Sequence, residues 1–169
     1  MFFVRSEEAH HCPVCEEELL GIGSRRRKGR KATGEQVTYG IRRLRCVGCR
    51  RIHHELPDLL VPYKHYEAVA MESVISPGTM LDVAADESTL YRWRLWFAQM
   101  AVYWIGGLQA IAYRFKLPVE DPSGSSPSSL LGIGRFVGNG SGWMGRLVRP
   151  LVHAQLWVHT RFAFLSASP

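Results

Sequence analysis

With 169 residues, 46% of them hydrophobic and 21% charged, the chain has room for one ordinary domain or two small ones, and its composition excludes a disordered protein. A formal net charge of +6 favours a polyanionic partner, nucleic acid or an anionic membrane surface, and argues against a multi-carboxylate enzyme. Four cysteines are too few for a dense disulfide scaffold.

At the N-terminus, Met1-Phe2-Phe3-Val4 is too short for the apolar core of a signal peptide, and Glu7 and Glu8 interrupt it. The expectation is a cytoplasmic protein with reduced thiols, in which paired cysteines are metal ligands more often than disulfides. Cys12-Pro13-Val14-Cys15 and Cys46-Val47-Gly48-Cys49 are two such pairs, separated by 30 residues. Two residues between cysteines let one tight turn aim both thiolates at one ion, and two turns complete a tetrahedron, so Cys12, Cys15, Cys46 and Cys49 are expected to hold Zn²⁺. Pro13 presets one turn, and Gly48 is expected to supply a positive φ in the other. His10-His11 and His53-His54 stand close enough for one of them to replace a cysteine. Four thiolates close the coordination shell, which makes the ion structural.

The interval between the pairs calls for a hairpin or arm. Gln36 to Arg45 mixes β-branched, aromatic and arginine residues and reads as a strand leading into the second pair. Between Cys12 and His54, eleven basic residues stand against four acidic ones, a net +7, so more than the whole charge of the chain sits there. Arg25, Arg26, Arg27, Lys28, Arg30 and Lys31 form the densest run, and Arg42 and Arg43 follow in the strand. Together they read as an arm lying along phosphates. Residues 10–57 are thus expected to form a zinc ribbon with a basic arm.

Beyond Pro57 and Pro62 the pattern turns helical. Tyr63 to Ser73 predicts a helix with Tyr66, Val69 and Ala70 on one face. Ser76-Pro77 starts a short second helix through Met80, Leu81, Val83 and Ala84, and Ser88 caps a third with Leu90, Trp93 and Phe97 inward. Ser88, Thr89, Tyr91, Arg92 and Arg94 lie off that face, where a recognition helix would meet base edges.

The segments Cys12-Pro13-Val14-Cys15, Ser24 to Lys28, Ile41 to Cys46 and Cys49 to Pro57 resemble an uncharacterised bacterial zinc-ribbon family, commonly labelled transposase-like and associated with mobile elements. Ser88-Thr89-Leu90-Tyr91-Arg92-Trp93 is similar to the recognition-helix start of insertion-sequence transposases. The resemblance covers roughly residues 10 to 97. It implies a zinc-ribbon and helix-turn-helix binder of double-stranded DNA, with no established activity. In one respect the chain departs from ribbon knuckles, which usually carry glycine just after the second cysteine: here Glu16 and Arg50 occupy those places.

Leu95 to Tyr113 is a 19-residue run without a charge, just long enough to cross a bilayer. Gln99, Gln109, Gly106-Gly107 and a one-sided stripe (Trp93, Phe97, Met100, Trp104, Leu108, Ile111 and Phe115) favour a core helix. The alternative is a membrane-tethered zinc-ribbon adaptor using residues 95–113 as a span. Residues 63–117 thus comprise the helix-turn-helix region and the long helix, which also offers a surface for a homodimer partner. Residues 118–130 read as a flexible linker and 131–169 as a C-terminal helical segment, with helices at Trp143 to Val148 and Leu151 to Phe164 separated at Pro150. His153 and His159, six apart, are poorly spaced as metal ligands.

No nucleophile elbow or glycine-rich phosphate loop appears, and Pro122 to Pro169 contains no acidic residue. A cut-and-join nuclease needs carboxylates for two metal ions. The expectation is a DNA-binding protein of a mobile element, without a nuclease domain or enzymatic activity, cutting being left to a separate catalytic subunit. The expected fold is α+β: a β-rich N-terminal ribbon followed by a mainly α-helical region with one long helix.

Overall fold

The structure is a computed structural model that describes residues 2–4, 11–76, 78, 82–118 and 128–157. It has the α+β architecture expected. The strands are β1 (Phe2–Val4), β2 (Leu19–Arg30), β3 (Gln36–Cys46) and β4 (Ile52–His54), and the helices are α1 (Ala68–Ile75), α2 (Glu87–Arg114), α3 (Ser129–Val137) and α4 (Trp143–His153). Strand β3 is central. It pairs antiparallel with β2 along one edge, while β1 (parallel) and β4 (antiparallel) share its other edge.

The basic run is not a loop. Arg25 to Arg30 lie within β2, each paired with a residue of β3 from Arg25↔Ile41 to Arg30↔Gln36. Near the start of the strand the register shifts between Gly21 and Gly23, a bulge that Gly23 relieves with a φ of 129° closed to other residues. On one face of β3, Val37, Tyr39 and Ile41 are buried with Leu60.

A second, larger core belongs to the helices. All five tryptophans are buried in it. Trp104 stacks on Trp157 at 5.2 Å, and Trp96 meets Trp104 edge-on at 4.9 Å. The Nε1 of Trp143 donates to Ser76 Oγ at 3.1 Å. Helix α2 buries Trp93, Trp96, Phe97, Ala101, Trp104, Leu108 and Ala112. Of the expected inward stripe, Phe115 lies past the helix end and is exposed.

Several element expectations are corrected. Helix α1 starts at Ala68 rather than Tyr63, because Tyr66 and Glu67 are extended and pair with Arg30 and Leu60. Val69 points outward, and the inward face is Ala68, Ala70, Met71, Glu72 and Ser73. The short helix expected over Val83 and Ala84 is absent from residues 82–86. Ala84 N–H donates to Ala32 C=O at 2.8 Å and its own carbonyl accepts from Tyr66 Oη at 2.9 Å, contacts that an extended segment makes. Pro77, Met80 and Leu81 lie outside the described residues. Helix α3 occupies part of the glycine-rich stretch, capped by Ser128, whose Oγ accepts from Leu131 N–H. Helix α4 runs through Pro150 to His153 instead of breaking there. Of the expected linker, residues 119–127 lie outside the described residues, as do 158–169 and with them Phe164.

Candidate metal centre and basic ribbon face

Two turns converge at one end of the sheet. Cys12 N–H donates to Glu17 C=O at 2.8 Å, and Cys46 N–H to Arg51 C=O at 2.9 Å, so each C-x2-C pair is folded by the same five-residue closure. The residue after the second cysteine has left-handed backbone in both turns, Glu16 at φ 63° and Arg50 at φ 59°. These are the positions where ribbon knuckles usually carry glycine. The turn geometry is therefore kept with side chains that oppose it. Gly48, expected to supply the positive φ, is not where the chain turns left-handed. Its need is for space: a Cβ there would meet Glu17 Cγ at 2.8 Å and Cys15 Sγ at 3.6 Å.

The four sulfurs lie within 4.8 Å of one another. Cys12 and Cys49 are separated by 3.6 Å and Cys15 and Cys46 by 3.4 Å, sulfur to sulfur. Both are far beyond a disulfide bond of about 2.05 Å. They match the edge of roughly 3.8 Å that a tetrahedron of thiolates about 2.3 Å from a central ion would have. Cys12 Sγ accepts from the backbone N–H groups of Val14 and Cys15, and Cys15 Sγ from those of Glu17 and Cys49. Burial pushes the Cys12 thiol up to about 12. The N–H of Glu17, followed by the neighbouring Cys46 sulfur, brings the exposed Cys15 down to about 7. A buried sulfur of this kind gives up its proton when a cation takes its place. The Cys12, Cys15, Cys46 and Cys49 cluster fits a four-coordinate metal site, and it is the one such group among the described residues.

His53 does not replace a cysteine. Strand β4 pairs it with Leu44, and its Nε2 comes to 3.5 Å from Cys12 Sγ, just outside the ligand set. It is 4% exposed, and burial, then Arg51, lowers its pKa. A cysteine and histidine at this distance resemble a nucleophile and its base. With Cys12 grouped with three other sulfurs, the imidazole reads instead as a hydrogen-bonding neighbour of a candidate ligand. His11 forms an isolated bridge with Glu18, and His10 lies outside the described residues. A cavity of about 330 Å³ opens beside His53, between the ribbon and α4, with Leu19, Leu44, Leu56 and Val148 in its wall.

The basic residues divide by face and partner. Arg25, Arg26, Lys28 and Arg30 are exposed along β2, which is an edge strand. Arg27 alternates inward, donating from Nη2 to the carbonyls of Val61 at 2.7 Å and Lys64 at 3.0 Å. Lys31 pairs with Glu35 at 2.8 Å and Arg42 with Glu55 at 2.5 Å. Arg43 is half-buried opposite His54. Burial, with Arg25 and Arg43 close by, keeps the His54 imidazole below its ordinary range. That juxtaposition of Arg25, Arg43 and His54 depends on strand register and has no local signal in the sequence.

At the start of α2, Asp86 accepts from Ser88 Oγ at 2.5 Å, from Thr89 N–H at 2.7 Å and from Thr89 Oγ1 at 3.0 Å. Arg92 folds back to Ser88 C=O at 3.1 Å, and Arg94 donates to Val74 C=O at 3.2 Å. Tyr91 makes no such tie among the described residues and is 64% exposed.

The fold and site define a small α+β chain with a four-cysteine cluster, fit for a metal ion, at the end of a basic antiparallel sheet. A family model described as "Domain of unknown function (DUF6431)" matches residues 12–93, from the first metal-site cysteine to the first buried tryptophan of α2. No curated protein and no solved structure matches the chain.

Proposed function

We propose that this chain is a zinc-dependent binder of double-stranded DNA, with no catalytic activity of its own, whose β2–β3 ribbon makes the principal contact. Zinc is the ion whose preferred shell is four thiolates in a tetrahedron, and a closed shell assigns it a structural role. The carrying observation is the row of Arg26, Lys28 and Arg30 on one face of an exposed edge strand, with Arg25 exposed on the other; among the described residues, no carboxylate pairs with Arg26 or Lys28. Cations spaced along the free edge of this sheet would displace counterions from the phosphates.

The start of α2 has a secondary part in this reading. Residues 82–86 are not helical, and the side chains of Ser88, Thr89, Arg92 and Arg94 are engaged in capping and in contact with α1. The resemblance to transposase recognition modules supports mobile-element DNA as the target, with a separate subunit performing any cleavage. Unbridged cysteines accord with a reducing, cytoplasmic setting.

Duplex-DNA binding by the metal-loaded protein, titrated against salt, tests the proposal. Replacing Arg26 and Lys28 by glutamate is expected to reduce the slope of log affinity against log salt by about 2. Affinity indifferent to salt, or a greater loss from Arg92→Ala with Arg94→Ala than from the strand pair, would overturn it.

A further inference from the structure

The sheet carries a second group of cations, on the face opposite Arg26, Lys28 and Arg30. Strand register sets Arg43 of β3 between Gly23 of β2 and His54 of β4, so that the three positions share one face. Side chains directly opposite one another across neighbouring strands start about 5 Å apart. Arg25, paired with Ile41, stands two residues along β2 from Gly23 and on that same face. Gly23 contributes no side chain, and a Cβ there would meet no atom within 4 Å beyond its chain neighbours. The open position at Gly23 is thus flanked by Arg25 and Arg43, with His54 next across the sheet. Arg25 is exposed, and Arg43 and His54 are half-buried.

These charges are not neutralised as their neighbours are. On the other face the next cross-strand pair, Arg42 and Glu55, closes an ion pair at 2.5 Å, whereas among the described residues no carboxylate pairs with Arg25 or Arg43. The charged groups that act on His54 are Arg25, then Arg43, then His53, with no carboxylate among them. Like charges gathered on one half-buried face repel, and an anion placed among them converts that repulsion into attraction.

We infer that Arg25, Arg43 and His54 form a binding site for a phosphate group. Each guanidinium presents a planar fork of N–H donors, which suits phosphate oxygens, and the imidazole adds a further polar nitrogen. A carboxylate holds its two oxygens in one plane, while a phosphate turns oxygens in several directions at once, as donors arriving from three strands require. The inference rests on the proposed DNA binding for the source of the phosphate alone: a duplex against β2 supplies one from its backbone, and free inorganic phosphate is the other source.

Nuclear magnetic resonance of the isotope-labelled, metal-loaded full chain tests the site, with inorganic phosphate and a short duplex as separate titrants at fixed pH and ionic strength. Each is expected to move the His54 imidazole and Arg43 side-chain signals saturably, which chloride at equal ionic strength should not do. Replacing Arg25 and Arg43 together by glutamine should weaken the response to phosphate by about tenfold. It should also lower the slope of log duplex affinity against log salt by about 1, equally for unrelated duplex sequences. Arg26→Gln with Lys28→Gln removes the same charge from the opposite face and should leave the phosphate response within about twofold. Arg25→Gln alone, at an exposed position, should change the response in the same direction and keeps the test open if Arg43 proves necessary for folding. A response to the duplex alone assigns the source to the DNA backbone. Phosphate that moves His54 while no duplex binds would support the site and overturn the DNA reading. A duplex that binds without moving His54 would overturn the site and leave DNA binding standing. Silence toward both titrants, or an equal loss of the phosphate response from the two double variants, would also overturn the site.

Discussion

Glu16 and Arg50 set an unusual demand on their turns. A left-handed backbone costs a residue with a Cβ roughly 1–2 kcal/mol, part of which glycine would return as unfolded-state entropy. Glu16→Gly and Arg50→Gly are each expected to stabilise the metal-loaded protein by about 0.5–1 kcal/mol, measured from denaturant midpoints. Glu72 carries a second local burden. Although only 6% exposed, its carboxylate accepts the N–H groups of Gly142 at 2.9 Å and Met144 at 2.8 Å, capping α4 from α1. Glu72→Ala leaves both donors without that acceptor and should cost about 2–3 kcal/mol, read from the same midpoints. At the start of α2, the Ser88 hydroxyl and then the Thr89 N–H hold the Asp86 carboxyl down to about 2, against an ordinary 3.8. A depressed carboxyl stabilises the fold while ionised. Its contribution should be complete above about pH 4 and disappear as pH falls toward 2, with a carbon-detected titration of Asp86 placing the midpoint near the lower value.

Strand β2 shows how alternation assigns opposite roles to adjacent arginines. Arg26 lies on the exposed face, whereas Arg27 holds the Val61 and Lys64 carbonyls from the other. Arg27→Ala is expected to destabilise by about 2 kcal/mol, the loss of two charge-assisted hydrogen bonds, as measured by thermal or denaturant unfolding. Arg26→Ala should leave stability unchanged and weaken duplex binding, a contrast that a common loop would not produce. The run Arg25-Arg26-Arg27-Lys28 looks like one feature in the sequence because neighbouring residues are listed together. Pairing with β3 separates them by period two, which no inspection of the charges alone reveals. Helix α2 shows the complementary case: three-and-four spacing marked Trp93 and Trp104 as inward but passed over Trp96, which is also buried.

The molecule has two cores that share little. Val37, Tyr39, Ile41 and Leu60 form one under the sheet, and the tryptophan-rich cluster of α1 to α4 forms the other. The metal-site cysteines lie at the sheet end. Links between the parts include the bidentate Arg149–Asp58 pair at 3.0 and 2.9 Å, the bond from Tyr39 Oη to Glu67, and Gln155 Nε2 on Pro13 C=O at 3.1 Å. Chelation should therefore remove amide-exchange protection from the ribbon while most of the helical circular-dichroism signal survives, and duplex binding should be lost with the ribbon. Loss of the helical signal in step with the metal would show instead that the two cores fold as one.

Some of this architecture is written locally. Two C-x2-C turns carry their geometry in four residues each, so each cysteine pair, the strand entering the second pair and much of the buried stripe of α2 could be read from spacing alone, because each depends on residues close in the chain; the meeting of the two pairs, 31 to 37 positions apart, is delivered by the pairing of β2 with β3. Over residues 82–86 the expected helix is absent for the reverse reason: Ala84 has helical neighbours in sequence, but Ala32 and Tyr66 offer its backbone partners in space. The placement of His53 beside Cys12, the inward turn of Arg27 and the capping of α4 by Glu72 likewise join residues 34 to 72 positions apart. Contacts at that separation are selected by strand register and by the packing of one layer on another, and those come into being when the chain closes on itself.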